Sequence, residues 1–107
     1  MNEPIMDLSE IVGLYKDDAR RSVSSMRAAL SRWDDICALG PATQELRKLA
    51  HQLRGSGRTY GFRDVTRLGK ALEHIMIRIQ SKRFRPDERC RALMTKYVDR
   101  LTKIFAS

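Results

Sequence analysis

An all-α fold, an antiparallel four-helix bundle, is what this sequence predicts, and three observations predict it. Apolar residues recur at helical spacing along four stretches, no stretch alternates with the period of a strand, and Gly and Pro cluster at Gly40-Pro41, Gly55 to Gly61, and Pro86. Helices with one apolar face each bury those faces most simply against one another. A chain of 107 residues is enough for one core and too short for two, so residues 1–107 are read as a single domain.

The first stretch runs from about residue 8 to 36. Asp7 followed by Glu10 has the form of a capping box, after which Val12, Tyr15, Ala19, Val23, Met26, Leu30 and Trp33 mark one face. Asp17 and Asp18 are poor helix-interior residues and good caps, so a break there would set off a short extra N-terminal helix. Gly40-Pro41 places Pro in the first turn of a second helix, with Leu46, Leu49, Ala50, Leu53, Gly57 and Tyr60 as its stripe. Gly61 closes that helix in the left-handed conformation, and Phe62 folds back onto the last turn. A third helix carries Val65, Leu68, Leu72, Ile75, Met76 and Ile79 and stops before Lys82-Arg83-Phe84-Arg85. Pro86, at the first helical position, opens a fourth with Asp87 and Glu88, and Cys90, Leu93, Met94, Tyr97, Leu101, Ile104 and Phe105 form its stripe.

With 42% hydrophobic and 32% charged residues, the chain has the balance of a folded protein rather than a disordered one. No apolar run approaches the roughly 20 residues that span a bilayer. The start, Met1 to Asp7, lacks the basic region and apolar run of a secretory signal, so a cytoplasmic protein without a membrane role is expected. Cys37 and Cys90 are far apart, form no CxxC pair and have few His neighbours, which leaves them as reduced packing residues and signals neither disulfide nor metal site. The net charge of +8, from 21 Lys+Arg against 13 Asp+Glu, favours acidic partners, phosphates or nucleic acid. The cations are spread from Lys16 to Lys103, and a charge-studded solvent face is the blander explanation.

On the second helix the stripe centres near Leu49 and Leu53, and His51 points almost the opposite way, toward solvent. The same outer face holds Arg47, Lys48, Arg54, Gly55 and Arg58. A helical Gly costs about 1 kcal/mol against Ala, so Gly55 and Gly57 each ask for a reason. Gly55, with no side chain beside His51, would let another protein or a phosphoryl group come close. Gly57 falls on the buried stripe, where close helix packing accounts for it.

His51-Gln52-Leu53-Arg54-Gly55-Ser56, followed by Gly61-Phe62, resembles the signature His-x-Leu-Lys-Gly-Ser and later Gly of histidine-containing phosphotransfer (HPt) domains, with Arg54 standing where Lys is commoner. Leu49-Ala50 upstream and Leu68, Leu72 and Glu73 downstream fit the same family's spacing. The resemblance implies a covalent relay in which His51 takes a phosphoryl group from an aspartyl phosphate on one response-regulator receiver domain and passes it to an Asp of another, with a hybrid sensor histidine kinase as a further partner. It implies that Arg54 screens the phosphoryl oxygens and Gly55 leaves room. Glu73 matches the position whose Gln or Glu bonds the second nitrogen of the active His, so that a carboxylate there would hold the Nδ1 proton and leave Nε2 free. The docking surface is expected to include Arg47, Lys48 and Arg58 and, on the first helix, Ile11 and Leu14. The divalent metal and acidic pocket belong to the receiver; no cofactor or metal is expected on this chain, which is expected to be a monomer.

Other readings compete. Gly55-Ser56-Gly57 lies within a helix and lacks the Lys and Ser/Thr of a phosphate-binding loop, so no ATP-binding or kinase machinery is expected. His74 also faces outward, but without a nearby Gly or matching context, and is read as inert. The dimerisation domain of a sensor kinase would follow its His with acidic and then Arg-Thr-Pro residues, whereas Gln52-Leu53-Arg54-Gly55 follow here. The alternative from a different class is a basic helical bundle that binds nucleic acid, or serves as an adaptor, without phosphotransfer. For it stand 15 Arg and 6 Lys; against it, no helix-turn-helix, zinc-finger or aromatic stacking pattern is present, so nucleic acid is the weaker expectation.

Overall fold

Among the described residues five helices follow one another: α1 (Leu8–Ser31), α2 (Trp33–Cys37), α3 (Pro41–Tyr60), α4 (Arg63–Gln80) and α5 (Glu88–Phe105). The structure is a computed structural model and describes residues 7–106; residues 1–6, read above for a secretory signal, and residue 107 lie outside the described residues.

Asp7 caps α1, its carboxylate accepting the Glu10 N–H at 2.9 Å. The helix does not break at Asp17-Asp18. Both side chains are exposed and pair one turn on, Asp17 with Arg20 at 2.6 Å and Asp18 with Arg21 at 3.0 Å, while Tyr15 and Ala19 carry the buried face past them. The short extra helix is instead α2, set off where the chain turns at Arg32 (φ −89°, ψ 52°). The turn sends Trp33 and Ile36 into the core and brings the Asp35 carboxylate to the start of α3. There it accepts the Ala42 N–H at 2.7 Å, a cap that Gly40 has no side chain to provide. Pro41 occupies the first turn of α3 as expected.

At the far end of α3, Gly61 takes φ 79° and the Phe62 N–H returns to the Gly57 carbonyl at 2.7 Å. Asp87, not Pro86, begins α5: its carboxylate accepts the Cys90 N–H, which leaves Pro86 just outside the helix.

Cross-helix ties give the topology. Arg20 donates to the Phe105 carbonyl and Arg27 pairs with Asp99 at 2.9 Å, so α1 and α5 run antiparallel. Tyr15 stacks on Tyr60 (centroids 4.3 Å apart) and Arg32 pairs with Glu45, so α1 and α3 do too. Arg47 meets Gln80 while Gly57 lies against Thr66, which makes α3 and α4 an antiparallel hairpin. The long helices therefore alternate in direction around one core that includes Met26, Leu46, Leu72, Met76 and Leu101. The rings of Tyr15, Tyr60, Phe62 and Phe105 close one end.

The stripe of α5 is turned slightly from the expected one. Met94, Val98, Leu101 and Phe105 are buried, and Leu93, expected inside, is 42% exposed. Cys37 is exposed rather than packed, whereas Cys90 is half-buried against the core. Burial, with help from the Asp87 charge, raises the Cys90 thiol above its ordinary pKa, so it remains a thiol.

Candidate functional site

The site depends on how closely α3 and α4 approach. A Cβ added to Gly69 would lie 2.8 Å from the Arg54 backbone nitrogen and 3.0 Å from the Ala50 carbonyl oxygen. One added to Gly57 would lie 2.9 Å from the Thr66 nitrogen. With no side chain at either position, the two backbones meet directly, and the next turn of α4 after Gly69 brings Glu73 up to α3.

Glu73 is a charged residue with a side chain only 8% exposed, and both its oxygens have donors. Oε2 stands 2.5 Å from His51 Nδ1, and Oε1 accepts from Arg54 Nη1 at 2.8 Å. Burial alone would push the Glu73 carboxyl up; the hydrogen bonds from Arg54 and His51, with their charges, outweigh it and hold the group below the ordinary glutamate range. An ionised carboxylate only accepts, so the proton in the His51 contact sits on Nδ1. His51 itself is 71% exposed. In the neutral ring that tautomer leaves the Nε2 lone pair free.

Gly55 has nothing within 4 Å of where a Cβ would stand, so the space beside His51 is open. Two grooves flank the imidazole. One, of about 550 Å³, passes Gln44, Arg47, Lys48 and Gln80 and includes the Glu73 carboxylate. The other, of about 880 Å³, runs toward Gly61 between Arg54 and Arg58 on α3 and Arg63, Arg67 and Lys70 on α4.

The structure thus brings together His51, Arg54, Gly55 and Glu73, with Arg47, Lys48 and Arg58 in the flanking grooves. Ile11 and Leu14 line neither groove. Ile11 is half-buried, and Leu14, 53% exposed, lines a separate depression with Glu10, Gly13, Lys16, Asp17 and Arg20 that includes no residue of α3. The nearest link is Tyr15, whose hydroxyl meets that of Ser56 at 3.1 Å. His74 is exposed and makes no hydrogen bond or ion pair among the described residues.

Gly69, Gln80 and the row Arg63, Arg67 and Lys70 escaped the sequence reading. Gly69 carried a signal, a Gly one turn before Glu73 on the buried side of α4, and the basic row has the spacing of a single helical face. Gln80 carried none, because its role exists only opposite Arg47.

The family model described as Hpt domain matches the chain over residues 10–103. No curated protein and no solved structure matches it.

Proposed function

The chain belongs to the Hpt domain family, whose general role is histidine phosphotransfer in phosphorelays, and from that premise we propose that His51 is the residue that carries the phosphoryl group, taking it from one receiver aspartate and giving it to another. The observation that carries the assignment is the buried Glu73 carboxylate on His51 Nδ1, which leaves Nε2 facing solvent as a nucleophile.

The reaction needs little else from this chain. Nε2 attacks phosphorus, the N–P bond forms as the P–O bond to the receiver aspartate breaks, and the aspartate leaves as a carboxylate. The proton stays on Nδ1, so the ring becomes cationic and the ionised Glu73 balances it. In the return step the ring is the leaving group, and the same pairing keeps the charge change small. Arg54, about half exposed, can turn part of its guanidinium to the phosphoryl oxygens while Nη1 stays on Glu73. Gly55 leaves the face open, Arg47, Lys48 and Arg58 flank the approach, and Ile11 and Leu14 extend the contact onto α1. The chain works in this reading as a carrier without a cofactor or kinase machinery of its own, and the receiver holds the divalent metal.

The test is incubation with a phosphorylated receiver domain, or with phosphoramidate, followed by assay for acid-labile, base-stable phosphate. Label is expected on His51. Label on His74, or none from any donor, would refute the assignment.

A further inference from the structure

The larger groove beside His51 is lined by one sign of charge. Arg54 and Arg58 stand one turn apart on α3, and Arg63, Arg67 and Lys70 repeat along one face of α4, so two basic rows border the same channel. Between them lie Gly57 and Gly61, which contribute no side chain. Among the described residues no carboxylate lines the channel. Arg58, Arg63, Arg67 and Lys70 form no ion pair among the described residues; Arg78, Arg89 and Arg100 form none either, but the first four share one channel. The groove on the opposite side of the imidazole differs, since it includes Glu73 and its Arg47 is held by Gln80.

All of the channel's cations but Arg54 lack a counter-charge among the described residues and repel one another in the free protein, and an acidic surface removes that repulsion on contact. The channel begins at His51, so a protein that places an aspartate in line with Nε2 must overhang one groove or the other. We propose that the receiver partner leans over the Gly61 end of the α3–α4 hairpin and presents there a cluster of carboxylates separate from its reacting aspartate. The inference rests on the phosphotransfer reading, to which it adds the chemistry of the partner and the direction in which it docks. Charges of this kind at the rim of an interface govern association rate and partner choice more than the strength of the final complex.

The experiment uses the intact chain, phosphorylated with phosphoramidate and then mixed with purified receiver domains chosen so that the surface around their phosphorylatable aspartate ranges from net negative to net positive. Phosphate loss is followed by rapid quench. At low salt, transfer to acidic receivers should be faster by about tenfold or more, and near 0.5 M salt the spread should shrink to within about twofold. In the variant Arg63→Glu/Arg67→Glu/Lys70→Glu the ranking should reverse. If that variant loses its helical circular dichroism, Arg63→Gln/Arg67→Gln takes its place and should flatten the ranking. A ranking indifferent to receiver charge, or unchanged in the variants, overturns the proposal. So does a random DNA duplex that binds the parent more tightly than any receiver and is lost with the same substitutions. A parent that takes no phosphate from phosphoramidate or from any phosphorylated receiver, which is seen before transfer is timed, overturns the phosphotransfer reading, and the docking inference falls with it.

Discussion

The surroundings of His51 and of His74 differ although both imidazoles are exposed on neighbouring helices. His51 stands at the α3–α4 seam, where Gly69 lets the backbones touch and Glu73 reaches up with one oxygen for His51 and one for Arg54. His74 is the very next residue on α4 and points away from that seam to solvent, with no partner among the described residues. One residue of helical rotation, about 100°, separates a carboxylate that fixes a tautomer from a side chain that fixes nothing. Exposure alone does not make a histidine reactive. In the proposed reading a buried anion behind the ring does, because it determines which nitrogen is free.

The sharpest way to break this comparison is to exchange the two residues' fates. His51→Gln should reduce phosphate uptake to background while the circular dichroism spectrum stays that of the parent, and His74→Gln should leave uptake within error of the parent. Mapping the label by mass spectrometry checks both.

Glu73→Gln tests whether the charge behind His51 matters or only the hydrogen bond. An amide can still accept from Nδ1, but it cannot balance a cationic ring, so transfer is expected to slow by roughly 10- to 100-fold. The same variant has a pH signature. Glu73 lies below its ordinary value of 4.5 in the folded chain, so the unfolded chain takes up that proton more readily. Its contribution to stability is therefore complete above the ordinary value and is lost as pH falls through the lower, folded one. Between about pH 6 and pH 3 the urea midpoint should fall more steeply for the parent than for Glu73→Gln.

Two glycines separate what the seam needs from what the surface needs. Gly69→Ala puts a Cβ against the Arg54 and Ala50 backbones, which cannot swing aside as a side chain would. It should cost about 1–3 kcal/mol of stability and slow transfer, because Glu73 is displaced along with α4. Gly55→Gln meets nothing within 4 Å at its Cβ, so it should be more stable by about 0.5–1 kcal/mol. It should nevertheless lose transfer from a receiver and keep more of its reactivity toward phosphoramidate, which needs less room. Denaturation midpoints and paired transfer assays measure both. Equal loss with both donors would place the damage at His51 rather than at docking.

Much of the bundle was legible in the chain because helical periodicity is local. The buried faces of α1, α3 and α4 and the Asp7 and Gly61 helix ends need only neighbours in sequence, and the motif around His51 lies within one turn and a half of helix. Asp17-Asp18 misled because local propensity gave way to a continuous buried face with arginines one turn on. The break at Arg32 stayed hidden for the opposite reason, since what it brings about, an Asp35 carboxylate capping a helix that begins beyond Gly40, is a contact between two elements. Leu93 and Val98 both had apolar character, and only the packing of α5 on its neighbours chose between them.

The sequence by itself determined the four long helical stretches, the inward faces of α1, α3 and α4, and an exposed His51 among cations, because each depends on residues within a turn or two along one helix. The tertiary structure alone decided that α3 and α4 approach closely enough for Glu73 to accept from His51 and Arg54 together, and that Arg54, Arg58, Arg63, Arg67 and Lys70 border one channel. These are distances between side chains on different helices, set by two glycines and by the crossing of the backbones.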